Sequence, residues 1–141
     1  MLIADTGFFY ALADRSDRHH VRAVSVLQTI TEPLITTCPV LTETTHLLIR
    51  RLSPLACSRF LTNVADGFCA VHALDPTHIR RIGALMDKYA DLPMDLADAS
   101  LVLLAEHLGE GRILSTDQRD FQAYRFKNQK PFQNVLLPWH E

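Results

Sequence analysis

Four acidic residues, Asp5, Glu43, Asp98 and Asp117, each stand beside a junction between a predicted strand and a predicted helix. Asp5 closes the apolar run Leu2–Ala4, and Asp117 follows the run through Ile113 and Leu114. Asp98 and Glu43 fall in the first turns of two further helices. In an open α/β sheet the ligand crevice lies beyond the carboxyl ends of the strands, so these four positions are compatible with one common edge. Carboxylates crowded there repel, and each raises its neighbours' pKa unless a cation offsets the charge. Oxygen donors without a well-placed histidine or cysteine set favour Mg²⁺ or Mn²⁺ over zinc. Such an ion can polarise a phosphodiester, activate a water and steady the leaving oxygen of an in-line displacement.

The elements that must position these acids alternate along the chain. After Asp5, the residues Phe8, Phe9, Ala11 and Leu12 recur at helical spacing. Asp17 is placed to cap a second helix carrying Val21, Val24, Leu27 and Ile30, which closes near Glu32-Pro33. Leu34–Thr37 suits a strand, and Pro39 and Pro54 occupy first-turn positions of helices over 40–52 and 55–65, the second capped by Ser53. The stripe of the latter helix reads as core or dimer contact. A strand over 70–74 precedes a helix opened by Asp75-Pro76, with Ile79, Ile82, Leu85 and Met86 on one face. The segment 95–108 is apolar nearly all round, a buried helix ended by Gly109 and Gly111. A strand over 112–115, a short helix over 121–126 and an edge strand over 134–137 complete the chain. Strands separated by helices imply a three-layer α/β domain with a central, mainly parallel sheet, here one domain spanning 1–141.

Each acid taken singly has an ordinary explanation. Asp5 suits a helix N-cap, a role worth about 1 kcal/mol. Asp95 and Asp98 suit the start of a helix, Asp117 a turn, and Glu43 the positive end of a helix dipole. Four acids in this order are less readily explained that way than any one of them. His46 and Arg50 lie at i+3 and i+7 from Glu43 and can share its face, where they would meet substrate phosphate or the carboxylate. His19-His20 reads as a surface pair, and Asp14, Asp17, Asp66, Asp75, Asp87 and Asp91 as solvated or capping acids. Arg119, Arg125, Lys127 and Lys130 interleave with Phe121, Tyr124, Phe126 and Phe132. That mixture either binds phosphates and stacks bases or consists of core aromatics between solvated cations, and the second reading is preferred.

Ile3-Ala4-Asp5-Thr6-Gly7 with Ala11-Leu12, Thr42-Glu43, Asp98-Ala99-Ser100-Leu101-Val102, and Ser115-Thr116-Asp117-Gln118-Arg119-Asp120-Phe121 resemble, in order and spacing, the PIN-domain family. In appearance the chain is similar to the VapC-type toxins of bacterial toxin-antitoxin pairs. The resemblance implies a metal-dependent endoribonuclease, a homodimer, an RNA substrate and inhibition by a small antitoxin protein. It makes Asp5, Glu43, Asp98 and Asp117 the catalytic and metal-site acids, with Asp95 and Asp120 as further metal-site candidates. Thr6 and Thr116 carry hydroxyls beside such acids and can orient a carboxylate or a water. Other readings stay open: a general RNA-processing nuclease without an antitoxin, an aspartyl-phosphate enzyme using Asp5, which Gly7 disfavours by standing where a second acid is expected, or a non-catalytic module that docks a partner.

Composition sets the surrounding conditions. A chain of 141 residues with 48% hydrophobic content can bury a core unaided. Cys38, Cys57 and Cys69 lack paired spacing and read as reduced, mostly buried residues. A formal net charge of -2 gives no global attraction to a polyanion, which must therefore be held locally or through a bridging cation. The longest apolar runs fall short of the roughly 20 residues of a membrane span. The first residues, Met1-Leu2-Ile3-Ala4-Asp5, meet an acid at once and do not resemble a secretory signal, so a cytoplasmic location without membrane contact is expected.

Overall fold

The strands of this protein are short, the central two are fully buried, and helices cover the sheet. A computed structural model describes residues 1–127 and 129–138. The main elements are β1 (Leu2–Ala4), α1 (Thr6–Ala13), α2 (His20–Thr29), β2 (Leu34–Thr37), α3 (Cys38–Arg51), α4 (Pro54–Ala65) and β3 (Ala70–His72). A 3₁₀ turn over Pro76–His78 then leads into α5 (Ile79–Lys88). They are followed by α6 (Leu96–Leu108), β4 (Arg112–Leu114), α7 (Gln118–Ala123), β5 (Arg125–Phe126), β6 (Lys130–Pro131) and β7 (Gln133–Asn134). Five of the strands form one sheet in the order β3-β2-β1-β4-β7, with every pairing parallel.

The register explains the sheet's place in the core. Ile3 of β1 lies between Ile35 of β2 and Ile113 of β4. Successive strand side chains point to opposite faces. All three residues of β1 and all four of β2 are buried, so the centre of the sheet is covered on both sides. Phe8, Phe9 and Tyr10 of α1 and the run Ala99–Ala105 of α6 supply much of that cover. Chain order reverses between β1 and β4: the path from β1 runs to β2 and β3 on one side, whereas β4 joins the other. The expected three-layer α/β architecture is therefore present, with its switch point between β1 and β4.

Several boundaries differ from the sequence expectations. The segment 121–126 does not continue as one helix. Tyr124 ends α7 in an extended conformation, and Arg125 and Phe126 pair antiparallel with Pro131 and Lys130 as a separate ribbon. A short apolar run at either period is ambiguous, and the pairing partner decided the outcome. Helix α2 starts at His20 with His19, not Asp17, at the cap position, while the Asp17 carboxylate accepts from the His19 backbone N–H. Its buried positions are Ala23 and Val26, and Val21 is 80% exposed. On α5, Ile82 and Leu85 are buried but Ile79 is exposed. Cys57 and Cys69 are buried and Cys38 is exposed, all three as free thiols. Among the described residues, no helix is long and apolar enough to cross a membrane.

Candidate active site

Asp5 leaves the carboxyl end of β1 and Asp117 that of β4, the two strands that flank the switch point. Asp5 is buried, and its two oxygens are held differently. Oδ1 accepts from the Thr6 backbone N–H at 2.7 Å, capping α1, while Oδ2 accepts from the Ser115 hydroxyl at 2.9 Å. Ser115 Oγ in turn accepts from the Asp117 backbone N–H at 2.9 Å. One hydroxyl thus joins the acids of the two adjacent strand ends. Ser115 is itself fixed by Asn134, whose amide donates to the Ser115 carbonyl at 2.9 Å. The Asn134 side-chain oxygen also accepts from the backbone N–H groups of Leu136 and Leu137.

Asp98 arrives on α6 and Glu43 on α3. Asp95 caps α6 by accepting from the Asp98 backbone N–H at 2.8 Å, and the Asp98 carboxylate accepts back from the Asp95 N–H at 3.3 Å. Inside the same helix, Ser100 Oγ lies 2.6 Å from Thr37 Oγ1 at the end of β2, a buried polar link that sets α6 against the strand leading into α3. Tyr124, fully buried, directs its hydroxyl to Asp98 Oδ2 at 3.4 Å. Asp117 caps α7 by accepting from the Asp120 N–H at 3.2 Å. The capping and chemical readings of these acids are therefore compatible, because a carboxylate offers more lone pairs than a cap consumes.

All six predicted acids, Asp5, Glu43, Asp95, Asp98, Asp117 and Asp120, line one cleft of about 400 Å³, together with Thr6, Gly7 and Thr116. Their electrostatics record the crowding. Burial pushes Asp5 up to about 7, against the lowering by Ser115 and Thr6, and Glu43 and Asp117 push it further. Burial likewise raises Asp98, helped by the charges of Asp95, Asp5 and Asp117. Asp117 and Glu43 are raised by burial first, then by acidic neighbours including Asp120 for the former and Asp95 for the latter. The Thr6 hydroxyl is buried and closes no hydrogen bond of its own, yet it stands near enough to Glu43 to oppose that rise.

A divalent cation is the group that these features fit. Among the described residues, no three carboxylate, histidine or cysteine side chains converge tightly enough to close around an ion as they stand. Mg²⁺ keeps several waters and takes only one or two carboxylates directly, so a wide acidic ring is suited to it. The six acids offer oxygen donors, they are unfavourably charged without a counter-ion, and the buried Thr6 hydroxyl among them has no partner within the described residues. Gly7 sets how closely the ring is drawn. A Cβ there would lie 1.8 Å from Thr116 Oγ1 and 2.9 Å from its Cβ, so only glycine lets α1 and the β4–α7 turn meet.

The other sequence expectations divide. His46 lines a neighbouring groove with Thr42, Glu43 and Asp95, but Arg50 is exposed and does not line the cleft. Leu47 and Arg51, at i+4 and i+8 from Glu43, do so instead. His19 lines the cleft, while His20 Nδ1 pairs with the Ala11 carbonyl at 2.7 Å. Phe121, Tyr124, Phe126 and Phe132 are buried in the core, Phe121 edge to face with Tyr124 and Phe132 and Phe126 tilted against Phe132, so they offer no stacking platform for bases. Asp75 caps the 3₁₀ turn, as expected. Ser115, Asn134, Tyr124 and Arg51 were not singled out as site residues in the sequence. Ser115 has a local signal, its place two residues before Asp117. The other three are brought in only by the fold.

Comparison with known proteins identifies the sequence pattern and the fold. The sequence pattern of the PIN domain matches residues 2–127. The chain is similar to ribonuclease VapC26 of Mycobacterium tuberculosis, 26% identical over 124 residues that make up 88% of this chain and 92% of that protein. Its fold matches that of M. tuberculosis VapC20, a sarcin-ricin loop cleaving toxin, with a TM-score of 0.82 and 21% identity over 93% of this chain and 100% of the other. With an acid-lined cleft at the switch point of a parallel sheet, and a family pattern that extends over most of the sequence, the chain belongs to the PIN-domain family.

Proposed function

We propose that this protein is a metal-dependent endoribonuclease, the toxin of a toxin-antitoxin pair, hydrolysing RNA phosphodiester bonds with an activated water. The observation that carries the reading is the single cleft into which six carboxylates from separate parts of the chain project, several of them with raised pKa values. The VapC relatives named above support the substrate class and the toxin role.

Asp5, Glu43, Asp98 and Asp117 would hold Mg²⁺ or Mn²⁺, with Asp95 and Asp120 joining directly or through water. A bound divalent cation lowers the pKa of a water and offsets charge developing on the phosphate. The protein's own part is positional. Ser115 keeps Asp5 and the Asp117 backbone in register, Tyr124 restrains Asp98, and the Asp95 cap holds the first turn of α6. In the same reading the whole chain forms one domain, acts as a homodimer in the cytoplasm and is inhibited by a small antitoxin protein.

The test is cleavage of a single-stranded RNA by wild type and Asp5→Asn, with Mg²⁺ and with chelator. Wild type should cut only with the metal, and the variant should lose more than about 100-fold, beyond the range typical of residues behind the ligands. Equal cleavage by the two proteins would reject the mechanism.

A further inference from the structure

One wall of the acidic cleft is built by Tyr10 of α1 and Arg51 at the end of α3, with Asp17 and His19 beside them. The Arg51 guanidinium carbon lies 5.5 Å from the centre of the Tyr10 ring. The Tyr10 hydroxyl is tied down by donating to Asp14 Oδ2 at 2.7 Å, and the ring is largely buried. Asp14 also accepts from the backbone N–H and hydroxyl of Ser16, so its lone pairs are used without Arg51. Among the described residues, Arg51 makes no ion pair with a carboxylate, and it is the one lysine or arginine lining this cleft.

We propose that Arg51, set over the Tyr10 ring, binds an RNA phosphate next to the bond being cut and so positions the strand over the acids. The inference rests on the nuclease reading and adds to it a substrate contact. A cleft with this excess of carboxylates repels a polyanion, and the chain's net charge of -2 supplies no compensating attraction. A cation lining the same cleft supplies local attraction for a phosphate beside the acids. The planar guanidinium can present its N–H fork to phosphate oxygens, and its cation–π contact with the buried Tyr10 ring restrains it before the ligand arrives. Pre-organisation of this kind lowers the ordering cost of binding. Tyr10 does not compete as a base platform, because its ring is largely buried.

The experiment compares wild type, Arg51→Gln and Arg51→Lys. Binding of a short single-stranded RNA is measured by fluorescence anisotropy in chelator over a KCl series, with RNA integrity checked on a gel. Loss of one phosphate contact should reduce the slope of log affinity against log salt by about 0.7 for Arg51→Gln. Affinity should fall roughly tenfold, as for a charge-assisted hydrogen bond. Arg51→Lys should keep the wild-type slope while recovering only part of the affinity, because it retains the charge without the fork. Thermal melts show that each variant is folded. An Arg51→Gln protein with unchanged slope and affinity, or one altered only in melting temperature, overturns the inference and leaves Arg51 as a packing residue on Tyr10. This outcome is separate from failure of the nuclease reading, which is decided by cleavage with Asp5→Asn and does not enter the salt series.

Discussion

A carboxylate has two oxygens, and at Asp5 the fold engages each with a different element: Oδ1 starts α1, and Oδ2 is held by Ser115 from the end of β4. The sequence shows Asp5 plainly, as an acid closing an apolar run, and it shows the capping interpretation equally well. What it does not show is that both hold at once, since that depends on which hydroxyl the parallel pairing of β1 with β4 brings opposite. Ser115→Ala tests this bridge. The variant removes one of the two hydrogen bonds that lower the Asp5 pKa, so in the metal-free protein the Asp5 carboxyl should titrate above about 7 in a ¹³C NMR titration. RNA cleavage with Mg²⁺ should fall about 10–100-fold, the range for residues that orient a ligand. An unchanged Asp5 titration would mean that Ser115 only fills space. Arg51 illustrates the same limit on the helix surface. A period of 3.6 places both i+3 and i+4 beside Glu43, and only the position of α1 decides that Leu47 and Arg51, not His46 and Arg50, share its cleft.

At the level of elements, the parts that were legible are those with long or strongly patterned signals. The buried α6, the strands β1, β2 and β4, and the proline-opened α3 and α4 lie close to where periodicity and capping chemistry place them. The failures are short or governed by contacts distant in sequence. The β5–β6 ribbon needs a partner strand to exist at all, and α2 buries Ala23 and Val26 in place of Val21 because packing on α1 selects its face. The contact between α1 and the β4–α7 turn is of the second kind. It is visible in the sequence only as a glycine two residues after Asp5, but it fixes the spacing of two acid-bearing strand ends. Gly7→Ala should force α1 away from Thr116, at a cost of about 1–3 kcal/mol, as for other overpacked sites. Denaturant unfolding measures that cost, and RNA cleavage should fall in the same variant because Asp5 and Asp117 are moved apart. A protein of wild-type stability and activity would show that the turn can give way without disturbing the acids.

For the molecule as a whole, the acidic cleft couples folding to pH and to metal. A carboxyl whose folded-state pKa is raised stabilises the fold fully below its unfolded value, and that stabilisation is lost as pH rises through the folded value. Asp5 lies at about 7, and Asp98, Asp117 and Glu43 are all raised, so the metal-free protein should lose stability from the ordinary carboxylate range up through neutrality. Groups shifted the other way act outside that window. Asp14, Glu32 and Asp75 are lowered and weaken the fold only in acid, and the lowered His72 acts below its ordinary value of 6.5. Melting temperatures in chelator at pH 6.5 and 8.5 therefore read chiefly the cleft: the protein should melt lower at pH 8.5, and Asp98→Asn should flatten the difference. Mg²⁺ binds the ionised acids of the native state and adds RT ln(1 + [L]/Kd), so it should raise the melting temperature more at pH 8.5 than at pH 6.5. Equal melting at the two pH values in chelator, with no response to Mg²⁺, would mean that the acids are solvated too well to repel one another, and the case for a shared cation would fail with them.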